Sequence, residues 1–159
     1  NALLVSGKDS RNKLLDSVSS SQGKNGEGQG MLIVSLGNNR RMAIRLAEVA
    51  RLEEVKRSDL ETSGEKQVIQ YRNEIMPLIN IPKLFNMRCQ ETRDTLEVVV
   101  HTHEGKSLGL MVESILDIVQ GNIDSKRASS NLLGTIITNN SVVDTINVKN
   151  IVRNFLQPA

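Results

Sequence analysis

The chain has 159 residues, of which 38% are hydrophobic and 24% charged, and its formal net charge is +2. This balance is typical of a soluble globular protein and excludes global disorder. The length allows one domain or two small lobes that share a core. With no Trp, one Tyr and two Phe, the core must be aliphatic. Dispersed Lys and Arg and the scarcity of stacking aromatics argue against nucleic-acid binding.

The sequence also indicates the cellular compartment of the protein. The single cysteine, Cys89, cannot form an internal disulfide, and no apolar run reaches the about 20 residues that cross a bilayer. We therefore expect a cytoplasmic protein without direct membrane insertion. Because the chain begins with Asn1 rather than Met, we expect it to be a piece of a longer protein.

Residues 1–30 form a distinct zone, which we interpret as an N-terminal extension. Asp9 or Ser10 could cap a short helix there. The stretch from Ser17 to Gly30 is rich in Ser, Gly and Asn, which is typical of a flexible loop or tether. Its glycines lack the Gly-Lys-Ser/Thr ending of a phosphate loop, so nucleotide binding is not expected.

A β pattern begins at Met31. Two strands, Met31–Leu36 and Arg41–Leu46, are predicted on either side of the turn Gly37-Asn38-Asn39. Ala47–Val55 predicts a helical turn followed by a strand, and a polar excursion runs from Ser58 to Gly64.

A second predicted hairpin completes the first half of this pattern. Val68–Tyr71 and Ile75–Ile81 flank the turn Arg72-Asn73-Glu74. Pro77 favours an edge position or a bulge in the second of these strands. Pro82 to Phe85 predicts a single helical turn.

The second half of the chain repeats this order of elements. Its predicted elements are a strand at Leu96–His103, a strand at Ser107–Val112, a turn and strand at Glu113–Val119, a hairpin of Thr135–Thr138 with Val142–Val148, and a helix at Val148–Leu156. Many short strands separated by turn signals are typical of mainly β structure.

The two halves are similar in sequence as well as in order. Val68–Phe85 lies over Thr135–Val152 without a gap, and Met31–Leu52 pairs with Leu96–Ile118 after a one-residue adjustment in the turn. A duplicated β unit indicates two similar small barrels or sheets packed together. Such an architecture usually offers surfaces to partners rather than a catalytic pocket.

Three passages resemble the CheW-like domain of bacterial chemotaxis, and most closely the regulatory domain at the C-terminus of the histidine kinase CheA. Val68–Ile81 is similar to the family's signature hairpin, a strand, a Tyr-Arg-Gly-like turn and a Pro-Leu strand. His103–Val119 is similar to the passage from a Gly-containing turn into a Gly-Leu-Val strand. Leu133–Ile151 resembles the closing hairpin. The resemblance extends over roughly Met31 to Leu156.

Two departures from the family pattern have physical consequences. Asn73 stands where the turn usually has Gly, and Asn tolerates the left-handed conformation, so the turn should survive. Thr145-Ile146-Asn147 stands where Leu-Leu-Asp is common. An Asn is therefore expected to cap the helix that follows.

The resemblance implies a mainly β, CheW-like fold of two small five-stranded β-barrel subdomains, related by an approximate internal two-fold and accompanied by short helices. The domain would span residues 31–159, with intertwined repeats at approximately 31–85 and 96–152.

In function, the resemblance implies a non-catalytic regulatory or scaffold domain of a CheA-type kinase, without cofactor. It would dock onto the coupling protein CheW and the chemoreceptor cytoplasmic tip, and would control the other domains of the parent kinase at receptor arrays on the inner face of the membrane. The alternative within the family is a free-standing CheW-type adapter.

Exposed aliphatic side chains of the first repeat are the leading candidates for a partner surface. The alternative interpretation assigns these aliphatics to the core. The candidate partner-binding residues are Leu52, Val55, Arg72, Asn73, Glu74, Ile75 and Ile79.

A rival hypothesis is a metal-dependent β-barrel enzyme. His101 and His103 alternate along a strand and so share a face, and Glu104 or Glu97 could add a third ligand. The chain has no further His, so neither a metal nor a catalytic site is expected. The acidic residues of the polar excursion are interpreted as solvated surface.

Overall fold

The computed structural model describes residues 29–37, 40–64, 66–87, 94–138 and 141–156. The extension over residues 1–28, Cys89 and the turns at Asn38-Asn39 and Asn139-Asn140 lie outside the described residues. Two α-helices are described, α1 (Ile81–Leu84) and α2 (Val148–Leu156). The strands are β1 (Gln29–Gly37), β2 (Arg40–Arg45), β3 (Arg51–Lys56), β4 (Glu61–Ser63), β5 (Lys66–Tyr71), β6 (Glu74–Asn80), β7 (Thr95–His103), β8 (Lys106–Val112), β9 (Ser114–Gly121), β10 (Leu132–Thr138) and β11 (Ser141–Ile146). The prediction of a mainly β fold is confirmed.

Each of the two sheets combines strands from both halves of the chain. The first sheet has the order β10-β11-β2-β1-β9, and the second has the order β3-β7-β8-β6-β5-β4. The hairpin β10–β11 joins the first sheet through a parallel pairing of β11 with β2. In the same way, β5–β6 joins the second sheet through a parallel pairing of β6 with β8. Each half therefore contributes its closing hairpin to the sheet built around the other half's first hairpin.

The sheets are open, which corrects the expectation of closed barrels. To close the first sheet, β9 would have to pair with β10. The free edge of β10 is instead occupied at Thr135, whose N–H donates to the Asp124 carbonyl (2.9 Å) and whose carbonyl accepts from the Asp124 N–H (2.8 Å). In the second sheet β4 occupies the corresponding edge of β5, with Glu61 opposite Val68. These pairings occupy backbone groups that a closing ladder would need.

The core is aliphatic, as the composition predicted. The buried hydrophobic side chains of the described residues include no Phe or Tyr. The largest buried cluster draws on both sheets and on α1 and α2, and its members include Leu32, Leu52, Ile79, Val99 and Ile151. Because both halves fill one interior, neither buries its apolar face independently.

The tight turns match their sequence signals. Arg72 (φ 51°) and Asn73 (φ 65°) are both left-handed, the conformation that a two-residue hairpin turn requires. Glu104 (φ 51°) and Gly105 (φ 79°) link β7 and β8 in the same way. The prediction that Asn73 can replace a turn glycine is confirmed.

Asparagine caps begin both helices. The Asn80 side-chain oxygen accepts the Lys83 N–H (3.0 Å), and the Asn147 oxygen accepts the Asn150 N–H (3.1 Å). Each bond satisfies a backbone donor that has no partner within its helix. The prediction that Asn147 serves as a cap is confirmed, and the gap-free overlay of the two halves places Asn80 at the same point of the first repeat.

Pro77 lies in β6, which is an edge strand over part of its length. Opposite Pro77 on one side is Val68 of β5, while β8 pairs with β6 only from Leu78 onward. The missing N–H of the proline therefore falls where the strand has a single neighbour, which is the position that proline tolerates.

Candidate docking surface

The β5–β6 hairpin presents an exposed tip. Arg72, Asn73, Glu74 and Ile75 are all exposed, and Ile75 shows 57% of its surface to solvent. The candidate residues at the tip therefore lie together on one accessible surface.

Two of the candidate residues belong to the core, which corrects their assignment to the surface. Leu52 is 1% exposed and Ile79 is 5% exposed, and both are members of the largest buried cluster. Ile75 and Ile79 lie on the same face of β6, but the main core covers that face at Ile79 and leaves it exposed at Ile75. Val55 is half-buried and packs against a smaller cluster around Met76.

A polar network anchors the hairpin to the opposite edge of its sheet. The Tyr71 hydroxyl donates to Glu53 Oε2 of β3 at 3.1 Å, and Arg51 Nε lies 3.3 Å from the same oxygen. Burial, followed by the neighbouring Glu53 carboxylate, raises the pKa of Tyr71, so the hydroxyl stays protonated and continues to donate. Arg72 stacks on Tyr71, with its guanidinium carbon 5.3 Å from the ring centroid. The tip therefore projects from a fixed base.

The equivalent hairpin of the second half carries a larger exposed aliphatic pair that the sequence analysis missed. Ile137 and Val142 lie opposite each other on β10 and β11 and are 72% and 64% exposed. The repeat overlay places Val142 at the position of Ile75. The criterion that selected Ile75, an aliphatic residue beside the hairpin turn, would also have selected Val142.

The surroundings of the two hairpins differ in charge. The groove beside the second hairpin is lined by Arg40, Arg41 and Arg127, of which Arg40 pairs with Asp144 of β11. The groove beside the first hairpin is lined by Asp59 and Glu61 together with neutral residues. The two halves therefore share their strand pairing but not their surface charge.

The two histidines make protein contacts that do not converge on a common point. His101 is buried, and its Nδ1 lies 2.8 Å from the Glu48 backbone carbonyl. His103 Nε2 lies 3.7 Å from Glu104 Oε2. The other proposed ligand, Glu97, accepts the Ile115 N–H at 3.0 Å. Within the described ranges, no group of three or more His, Cys, Asp and Glu could hold a metal ion.

In the part of the chain that the structure describes, no helix is both long and apolar enough to pass through a membrane.

Comparison with known proteins identifies a family and a shared fold. The sequence profile of the CheW-like domain matches residues 30–155. The solved structure of the scaffolding protein TtCheW from Thermoanaerobacter tengcongensis superposes with a TM-score of 0.63 at 16% sequence identity. The superposition covers 76% of this chain and 85% of that protein. No curated protein sequence matches the chain.

Proposed function

Because the chain belongs to the CheW-like domain family, we propose that it is a non-catalytic scaffold domain that couples proteins within a chemotaxis signalling complex. The family match over residues 30–155 is the observation that carries this proposal. The exposed hairpin tip adds support, since a docking domain needs accessible apolar surface on a rigid base.

Within the family, we propose the regulatory domain of a CheA-type histidine kinase, located in the cytoplasm at receptor arrays. Its partners would be the coupling protein CheW, the chemoreceptor tip and the other domains of the kinase. The three motif passages favour this reading. The alternative is a free-standing adapter, favoured by the likeness to TtCheW, which is itself named a scaffolding protein. The coding sequence upstream of Asn1 tests the choice, because the kinase reading requires an ATP-binding module there.

We propose that the hairpin tip, Arg72 to Ile75, is the centre of the partner surface, with Val55 at its margin. An exposed isoleucine flanked by charged groups has the composition of an interface anchor with a polar rim. The Tyr71–Glu53 bond holds the tip before a partner arrives. Less conformational freedom is therefore lost on binding.

Calorimetric titration of the intact chain with the coupling protein CheW tests both the scaffold function and the proposed hairpin-tip surface. Ile75→Asp is expected to weaken binding at least about tenfold without changing the circular dichroism spectrum, because the side chain is exposed. Val142→Asp, at the equivalent position of the second hairpin, is the matched control and should bind like the unmodified chain. Ile79→Asp should instead prevent folding, because it would bury a charge in the main core.

The outcomes separate the surface from the function. Failure of the folded, unmodified chain to bind CheW would count against the scaffold function with this partner. If Ile75→Asp leaves CheW binding unchanged, the partner surface lies elsewhere. If Ile75→Asp and Val142→Asp weaken binding equally, the surface is not confined to the first hairpin.

A further inference from the structure

A cleft of about 360 Å³ lies between the segment after β2, the end of β7 and α2. Its lining includes both histidines of the chain, His101 and His103, and two cationic side chains of α2, Lys149 and Arg153. The volume is at the lower end of the range for small-molecule sites. None of the hairpin-tip residues contributes to it.

Among the described residues, neither of the two cations in this cleft has an ion-pair or hydrogen-bond partner. Lys149 and Arg153 are four residues apart on α2 and so lie on one side of the helix. The ion pairs and hydrogen bonds of the described residues include neither side chain. The nine residues of α2 contain no Asp or Glu. Two positive charges therefore face the cleft without compensation from their own helix.

One of the two carboxylates that line the cleft is neutralised by a neighbouring arginine. Glu48 is buried, and its Oε2 lies 2.7 Å from Nη2 of Arg45, which neutralises it. Glu104 is exposed in the β7–β8 turn and lies beside His103 at the mouth of the cleft. Apart from the histidines, the cations without a counter-ion among the described residues that line the cleft are those of α2.

The internal repeat provides a comparison for this cluster. Leu108 of β8 lies opposite His101, whereas its counterpart Met42 of β2 lies opposite Val34. Val34, which therefore corresponds to His101, is completely buried in the main core. His103 lies opposite Lys106, whose counterpart Arg40 lies opposite Gly37, so the first half has a glycine at the position of His103. The first half thus has an aliphatic side chain and a glycine at these two positions, and the imidazoles are an addition of the second half.

The helix positions show the same asymmetry. The repeat overlay places Pro82 at the position of Lys149, and continuing it by one residue places Asn86 at the position of Arg153. Neither counterpart carries a charge. The cationic cluster is therefore specific to one half of the molecule, and the architecture common to both halves does not explain it.

We propose that this cleft binds a phosphate monoester as its dianion, held by the Lys149 ammonium and the Arg153 guanidinium, with His103 as a further donor at the mouth. Two uncompensated cations match a charge of minus two, and the guanidinium fork matches pairs of phosphate oxygens. The buried ring of His101, fixed through its Nδ1 by the Glu48 carbonyl, forms the floor of the site.

Imidazole NMR of the full chain tests the proposal, with inorganic phosphate as the ligand at fixed pH and with ionic strength balanced by chloride. The chain has only two histidines, and both line the cleft, so every imidazole signal reports on the site. Phosphate should shift the His103 signals along a saturating curve. The Lys149→Ala, Arg153→Ala double variant should weaken the affinity by about tenfold or more, since it removes both ion pairs.

The matched control removes the same two residue types elsewhere. Lys126 and Arg127 are adjacent, exposed and outside the cleft, so their double alanine variant should keep the phosphate affinity. A non-saturating shift in the unmodified chain, or a saturating shift that survives loss of Lys149 and Arg153, would overturn the proposal. Acetate that saturates as tightly as phosphate would overturn the assignment to a dianion. Circular dichroism checks that each variant is folded.

Discussion

Thr145 lies in the interior of the molecule, and its hydroxyl has no hydrogen-bond partner among the described residues. Its side chain is 0% exposed, and its Oγ1 is one of two buried side-chain polar atoms without a partner among the described residues. It stands on β11, opposite Ala43 of the parallel neighbour β2. A buried polar group without a partner costs about 1–3 kcal/mol of desolvation.

We expect Thr145→Val to stabilise the protein, because valine has nearly the shape of threonine and no group to desolvate. The free energy of unfolding should rise by about 1 kcal/mol, measured as a higher urea midpoint at unchanged slope. Thr62→Val on the exposed strand β4 is the control and should stay within about 0.5 kcal/mol of the unmodified chain. A loss of stability in Thr145→Val would show that the hydroxyl makes a favourable contact.

At the scale of single elements, α2 illustrates how a short helix is held in place. One of its first-turn donors, the Asn150 N–H, is met by the Asn147 side chain, and Val148, Ile151 and Val152 are buried. A second contact, from the Asn147 N–H to the Asn131 carbonyl at 2.8 Å, ties the start of the helix to the segment before β10. A nine-residue helix has marginal stability alone, so its cap and its packing both contribute.

We expect Asn147→Ala to lower the free energy of unfolding by about 1 kcal/mol, because it removes the cap while keeping the backbone contact. Asn147→Asp retains an oxygen acceptor and places a negative charge at the helix N-terminus, so it should be close to neutral. Urea denaturation of the two variants measures the difference. Equal losses in both would mean that the amide nitrogen, rather than the cap oxygen, carries the effect.

At the scale of the whole molecule, the exchange of hairpins makes the two sheets interdependent. Gly109 of β8 lies at the parallel junction with β6, opposite Leu78. A Cβ at Gly109 would lie 2.5 Å from Leu78 Cδ2 and 2.9 Å from Val98 Cγ1. The second sheet therefore packs at this junction with no room for a methyl group.

We expect Gly109→Ala to destabilise both sheets together by about 1–3 kcal/mol through overpacking. Amide hydrogen exchange should show the same loss of protection in β1, at the centre of the first sheet, as in β7 of the second. Gly121→Ala is the matched control, because its nearest neighbour would lie at an ordinary 3.4 Å. Loss of protection confined to β7 would contradict a single cooperative unit.

Local chemistry allowed much of the fold to be predicted. The turn at Arg72-Asn73 and the cap at Asn147 depend on the conformational preferences of neighbouring residues, so they were evident in the sequence. The helix predicted at Val148–Leu156 has those bounds in the structure. The scarcity of aromatics predicted an aliphatic core because it leaves no other material to bury. Of the candidate surface, the exposed tip followed from the same turn signals.

Long-range pairing decided what the sequence could not. Ile75 and Ile79 share a face of β6, and only the packing of the main core over one end of that face separates them. The alternation of a strand has a period of two, so a shift of two residues leaves the pattern unchanged. The sequence overlay of β1 on β7 places Leu36 at the position of His101. In the observed strand pairing, Val34 holds that position, so the overlay is wrong by two residues.

The sequence by itself determined the order of the elements, their turns and caps, and the duplication, since these depend on interactions between residues close along the chain. The tertiary structure alone decided which hairpin joins which sheet, that the sheets stay open, and which aliphatic side chains reach solvent. It also brought His101 and His103 beside Lys149 and Arg153. Such outcomes depend on contacts between residues tens of positions apart, and no local preference encodes them.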